Sequence, residues 1–237
     1  MASDRGEKRQ RHGYGERRLW WLALAVAAVV AAAGAALAFF LVWFLPRSDS
    51  LSLAASAVDV GFLQDMTTHH EQAVEMGLIA MTASEDPAIR SLAGDVVTSQ
   101  QSQIGMMQGW LWQWGDPLSP AEPPMAWMGT DEATGADHSM PGMSRSESGS
   151  SLMPGMATAD EMQGLRQTYG KNFDVLFMQL LLRHHEGGLP MARYAAAEAA
   201  VPVVSVLAQK IVDAQTAEVT ALSAMLAGRN AAPLPAN

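Results

Sequence analysis

An internal duplication constrains the fold of this chain more than any other feature. Asp59 to Leu111 aligns with Asp174 to Leu226 without a gap, at a constant offset of 115, with 15 identities in 53 positions. The shared residues include Asp59/Asp174, Phe62/Phe177, Gln64/Gln179, His69/His184, His70/His185, Glu71/Glu186, Met76/Met191, Pro87/Pro202 and Gln100/Gln215. A gapless match of this length means one structural unit used twice. Each copy reads as a helical hairpin. The first helix ends near Ser84, where Asp86-Pro87 supplies a cap and a proline at the first helical position, and the second runs to about Trp112 before Gly115-Asp116-Pro117. In the later copy, Thr158 to Glu161 has the form of a capping box, Val201-Pro202 marks the break between helices, and Pro190 falls inside a helix, where it predicts a kink. No segment alternates as a strand would.

Residues 115–157 separate the hairpins and hold six prolines, six glycines, seven serines and six methionines in 43 positions, the composition of a linker. The expected architecture is all-α, a four-helix bundle of two tandem hairpins, 51–114 and 158–228, joined by that long connection and followed by a tail at 229–237. Leu19 to Leu45 adds 27 uncharged residues. As a helix these span roughly 40 Å against about 30 Å of hydrocarbon. Six basic residues precede this run (Arg5, Lys8, Arg9, Arg11, Arg17, Arg18) and only Arg47 follows closely. The bias predicts a cytoplasmic tail at 1–18, a single-pass anchor at 19–45 in the lipid bilayer of the cell membrane, and an extracytoplasmic bundle. A cleavable signal peptide ending near Ala33-Gly34-Ala35 is the competing reading.

The net charge of −9 argues against nucleic acid as a partner. With no cysteine in the chain, disulfide scaffolds, thiolate metal sites and cysteine catalysis are excluded, and methionine is left as the soft ligand. Oligomeric state is left open by the sequence, a homo-oligomer included.

Four of the six histidines lie in the duplicated H-H-E. At about 100° per residue, Phe62, Met66, His69, His70, Ala73, Met76 and Ala80 fall within an arc of roughly 120°, facing the core, while Glu71 and Glu186 point away. Packing the copies about a pseudo-two-fold axis brings His69, His70, His184 and His185 together near mid-bundle, with Met76 and Met191 a turn or two away. Buried imidazoles need partners. Two readings follow: the rings hold a metal, or they are hydrogen-bonded core residues of a structural or interaction module.

Enzyme motifs fail at specific positions. Val74 and Leu189 stand where H-E-x-x-H needs histidine, and Met66, Thr67, Leu181 and Leu182 stand where a di-iron bundle needs glutamate three residues before histidine. With no phosphate loop, dinucleotide fingerprint or nucleophile elbow either, no enzyme is expected. The linker instead repeats Met-x-x-Met at Met125/Met128, Met140/Met143 and Met153/Met156, with His138 just before the second pair. Thioether sulfur suits Cu(I) and other soft ions, and imidazole accepts several borderline ones.

The pattern Asp-x-x-Phe-x-x-x-Met-x-x-His-His-x-x-Ala-x-x-Met from Asp59 to Met76, with Gln100 and Trp110 to Gly115, resembles the bacterial domain of unknown function 305 family over roughly Leu51 to Leu226. The resemblance implies a ferritin-like fold, export and a link to copper binding and tolerance. It supports Met66, His69, His70 and Met76 in the first copy and His184, His185 and Met191 in the second. Leu181 and Gly188 depart from the pattern, which makes the first copy the better ligand set. The expectation is a membrane-anchored Cu(I) buffer or chaperone, with the linker methionines as an auxiliary capture site.

Overall fold

The computed structural model describes residues 54–129 and 152–237, together with positions 20, 21, 24, 30–37, 39 and 40, which are helical. No strand occurs among the described residues. Helix α1 spans Ala57–Ala83 and α2 Pro87–Trp114; a short α3, Ala159–Gln167, precedes α4, Gly170–Glu198, and α5, Pro202–Ala227. Residues 1–52 and 53–237 form separate units. The expected tail at 1–18 and most of the expected anchor at 19–45 lie outside the described residues. No helix among the described residues is long and apolar enough to cross a membrane.

Local chemistry sets the helix ends. Ser56 and Asp59 form a capping box on α1, Asp86 caps α2 ahead of Pro87, and α2 stops at Gly115, whose φ of 80° favours a residue without a β-carbon. The expected capping box at Thr158 and Glu161 forms, but it opens the nine-residue α3 rather than a long helix, so the second half holds three helices where two were expected. Glu161 also takes a bidentate contact from the buried Arg183 (2.9 and 2.7 Å), which fixes α3 on α4. Helix α4 continues through Pro190 to Glu198.

The hairpins α1/α2 and α4/α5 pack against each other through α1 and α4, which cross at the histidines. On one side of the crossing, Ala73, Met76 and Ala80 join Phe173, Phe177, Leu180 and Leu181 in one apolar cluster. On the other, Phe62, Leu63 and Met66 join Met191, Ala192 and Ala195 in a second. This arrangement requires α1 and α4 to run antiparallel, so that the early part of each helix meets the late part of the other.

Equivalent side chains make equivalent clamps. The Asp59 carboxylate accepts from the N–H groups of Ala200 (3.2 Å) and Val201 (3.0 Å) in the α4–α5 turn, and Asp174 accepts from the Ser84 hydroxyl (2.6 Å) in the α1–α2 turn. Helix α5 has no side-chain cap of its own, so Asp59 supplies one from the other hairpin. Gln64 donates to the carbonyl of Pro117 (2.6 Å) and Gln179 to that of Ala232 (2.5 Å), again positions related by 115. The segment expected as a C-terminal tail is therefore part of the packed body: Ala231 and Leu234 lie on the first cluster.

Hydrogen bonds to a charged group contribute about 1.5 to 3 kcal/mol, and stranded donors add to the loss. Asp59→Ala, which strands the α5 N-terminus and also breaks the Ser56 capping box of α1, should lower the urea-unfolding free energy of the 53–237 unit by about 2 to 3 kcal/mol, against about 1 kcal/mol for Asp174→Ala with its single contact and about 1 kcal/mol for Ser56→Ala, which breaks the box alone. Equal losses for Asp59→Ala and either of the others would contradict this trans-capping.

Candidate metal centre

At the crossing of α1 and α4, the His69 and His184 rings lie with centroids 3.8 Å apart and planes 35° from parallel. His184 Nε2 donates to the His69 backbone carbonyl at 2.8 Å, and His69 Nε2 to the Pro154 carbonyl at 3.2 Å. The outer pair turns to the second helix of its own hairpin: His70 Nε2 meets Gln103 Oε1 at 2.6 Å and His185 Nε2 meets Glu218 Oε2 at 2.5 Å. All four rings are fully buried.

A carbonyl oxygen only accepts, so the ring nitrogen facing it must carry the proton. Neutral His69 and His184 are thereby Nε2–H tautomers with a bare lone pair at Nδ1, and the acceptors facing His70 and His185 favour the same form. Among the described residues, Nδ1 of every one of the four rings finds no hydrogen-bond partner, nor do Gln100 Oε1 and both amide atoms of Gln215, at equivalent positions of the two copies. A buried polar atom left unpaired costs about 1 to 3 kcal/mol. Imidazole held at one nitrogen by an oxygen and bare at the other is the usual arrangement of a metal ligand.

The methionines divide unequally about this layer. Met66, Met107, Met153, Met156 and Met191 are buried in the cluster on one side, with Met125 and Met128 packed against it. The other cluster holds Met76, Met162 and Met178 among phenylalanine, leucine and alanine. Antiparallel crossing carries the equivalent residues Met76 and Met191 to opposite sides of the histidine layer. His138, Met140 and Met143 lie outside the described residues. Glu71 and Glu186 are exposed, as their helical phase predicts.

Both ends of the connection 115–157 dock on the bundle. Asp65 accepts from the Met125 N–H and the Trp127 indole, both at 2.7 Å, and Trp127 packs edge-on against Phe62 and Tyr194. Burial raises the Asp65 carboxyl above its ordinary range, against the lowering pull of those two donors. Met125 has a φ of 66°, a left-handed conformation that costs a residue with a β-carbon about 1 to 2 kcal/mol.

At the other end, Gln72 brackets Ala157 by accepting from its N–H (2.7 Å) and donating to its carbonyl (2.9 Å), while Asn237 accepts from Gly155 and donates to the Met156 carbonyl. This strap explains the glycines of H-H-E-G-G. A β-carbon on Gly187 would come within 2.2 Å of the Pro154 oxygen, and one on Gly188 within 2.9 Å of His69 Cε1 and 3.3 Å of His69 Nδ1. Each mid-helix glycine costs about 1 kcal/mol relative to alanine, so the bare surface on α4 is held against local propensity. Ala73 fills the position equivalent to Gly188.

Sequence reasoning missed Met107, Gln72, Gln103, Glu218 and Gly187. The offset of 115 could have paired Gln103 with Glu218, but their side chains differ. Among the described residues no three His, Asp or Glu side chains stand in ligand geometry for one ion. Imidazole nitrogen and thioether sulfur are donors that suit a soft ion better than a hard one.

Burial lowers His69 to about 4 and His70 to about 3, and holds His184 well below its ordinary value, with neighbouring imidazoles adding to the lowering. The unfolded chain therefore takes up more protons than the folded one as pH falls from 6.5 toward about 4. Histidine-linked stability is fully present above 6.5 and is lost through this window. The urea midpoint of the 53–237 unit should fall between about pH 7.5 and about pH 5, and the fall should shrink in His69→Gln/His184→Gln. An equal fall in both proteins would contradict the assignment.

The chain matches the family described as Domain of unknown function (DUF305) over residues 59–226. It is 37% identical to a DUF305 protein from Streptomyces coelicolor, covering 75% of this chain and 97% of that one, with a TM-score of 0.64. A DUF305 fragment from Deinococcus radiodurans is 30% identical over 74% and 98% of the two chains, with a TM-score of 0.57. CopM in its Cu(I)-bound form shares the fold at 22% identity over 72% and 96%, with a TM-score of 0.52, and CopM has also been solved with Cu(II) and with Ag bound. No curated protein matches the chain. On the match over 59–226 and the 37% identity to a solved relative, the chain belongs to the DUF305 family.

Proposed function

We propose that this protein binds a soft metal ion, Cu(I) foremost, at the histidine layer and acts as a buffer or chaperone for it without altering a substrate covalently. One observation carries the reading: four buried imidazoles, each tied at Nε2 and bare at Nδ1. The bound forms of CopM, a protein of the same fold, support the choice of ion.

In this reading His69, His70, His184 and His185 supply nitrogen. Met66, Met191, Met153 and Met156 supply sulfur from the thioether-rich side, with Met125 and Met128 behind them. Met76 is remote from that side, and His138, Met140 and Met143 act as an auxiliary capture site. Residues 19–45 anchor the protein in the cell membrane with the N-terminus cytoplasmic and the bundle outside, where the cysteine-free ligand set suits an oxidising environment. The hydrogen bond that each histidine makes favours a second reading, a structural module whose imidazoles only hold the bundle together.

Competition for Cu(I) against a chromogenic chelator separates the two readings. The wild type should compete, and Met66→Leu/Met191→Leu should weaken binding by about tenfold or more, equivalent to about 1.4 kcal/mol per tenfold step. Met76→Leu should leave affinity within about twofold, a difference of well under 1 kcal/mol. No competition by the wild type, or equal losses on both sides, would remove the reading.

A further inference from the structure

The duplication provides its own comparison at the outer histidines. Positions 103 and 218 are equivalent across the offset of 115, and each faces Nε2 of the second histidine in its hairpin, at 2.6 and 2.5 Å. The groups differ in kind: Gln103 is a neutral amide and Glu218 a carboxylate. Of the four Nε2 partners, Pro154 O, Gln103 Oε1 and His69 O belong to neutral groups, and only Glu218 can carry charge. The Glu218 side chain is 23% exposed and the His185 ring 0%, so solvent screens the contact weakly.

A carboxylate accepting the imidazole N–H draws that proton toward itself and leaves more electron density at the opposite nitrogen. It also fixes the ring against rotation. His185 Nδ1 is the nitrogen so enriched, and it has no partner of its own.

We infer that Glu218 is a positioning residue that makes His185 the strongest nitrogen donor of the layer, so that a soft metal ion is held chiefly through the second hairpin. The inference rests on the metal-binding reading above and reverses the expectation that the first copy is the better ligand set. Glu218 acts through His185 and does not itself touch the ion. Two copies that look alike in their histidines are thereby unlike in donor strength.

The test uses the full-length protein in detergent micelles, with Cu(I) as the probe and a chromogenic chelator as competitor. Glu218→Gln, which gives His185 the partner that His70 already has, should weaken Cu(I) binding by about 10- to 100-fold. Adding Gln103→Glu to that variant, which moves the carboxylate to His70, should restore most of the loss. In metal-free protein labelled with 15N-histidine, Glu218→Gln should shift the His185 ring signals and leave those of His69 in place.

Wild-type affinity in Glu218→Gln would overturn the inference while leaving the metal-binding reading intact. A loss that Gln103→Glu does not restore would also overturn it, by assigning Glu218 a packing role. Should Glu218→Gln fail to fold, Gln103→Glu alone must tighten Cu(I) binding, and unchanged affinity there would overturn the inference. A wild type that takes up no Cu(I) would remove both.

Discussion

The arrangement of the 53–237 unit depends on burying four imidazoles at one helix crossing. Two of them, His69 and His184, lie 3.8 Å apart. At that separation in an apolar core both rings cannot be charged, so the fold must keep them neutral and give each an acceptor. It does so with main-chain carbonyls for the inner pair and with side chains of α2 and α5 for the outer pair. The crossing geometry, the faces buried on α1 and α4, and the division of the core into two clusters all follow from where those rings must meet.

Around that crossing the 53–237 unit is nearly two-fold, and the departures are concentrated at the histidines. The clamps at Asp59 and Asp174, and at Gln64 and Gln179, are the same device in two copies. At the inner histidines the symmetry breaks. His184 donates to the backbone of α1, whereas His69 donates to Pro154 on the strap. Gly187 and Gly188 clear the surface for that strap and for His69, and the strap adds Met153 and Met156 to the side that already holds Met66 and Met191. One face of the histidine layer thereby gathers five buried methionines, against three, Met76, Met162 and Met178, in the other cluster.

The hairpins were legible in the sequence because a gapless repeat, Pro87 and Pro202 at helix starts, and the phase of Phe62, Met66 and His69 are all local signals. The burial of the histidines and the exposure of Glu71 and Glu186 followed from helical phase alone. The docked strap was not legible. Its contacts join residues 85 positions apart, such as His69 with Pro154 and Gln72 with Ala157, and Pro-Gly-Met carries no periodicity that would reveal a partner. The opposite placement of Met76 and Met191 depends on the antiparallel crossing, which spacing within one helix does not encode. Gln103 and Glu218 were not legible because equivalent positions whose side chains differ leave no identity in the repeat.

The central claim is that the histidine layer and the thioether cluster beside it form one mixed nitrogen–sulfur site. X-ray absorption at the copper edge of the Cu(I)-loaded protein tests it most directly. A low-coordinate shell containing both imidazole nitrogen and thioether sulfur is the predicted result, with the sulfur contribution reduced in Met66→Leu/Met191→Leu. A shell of sulfur alone, unchanged when the four histidines are replaced by alanine, would contradict the account.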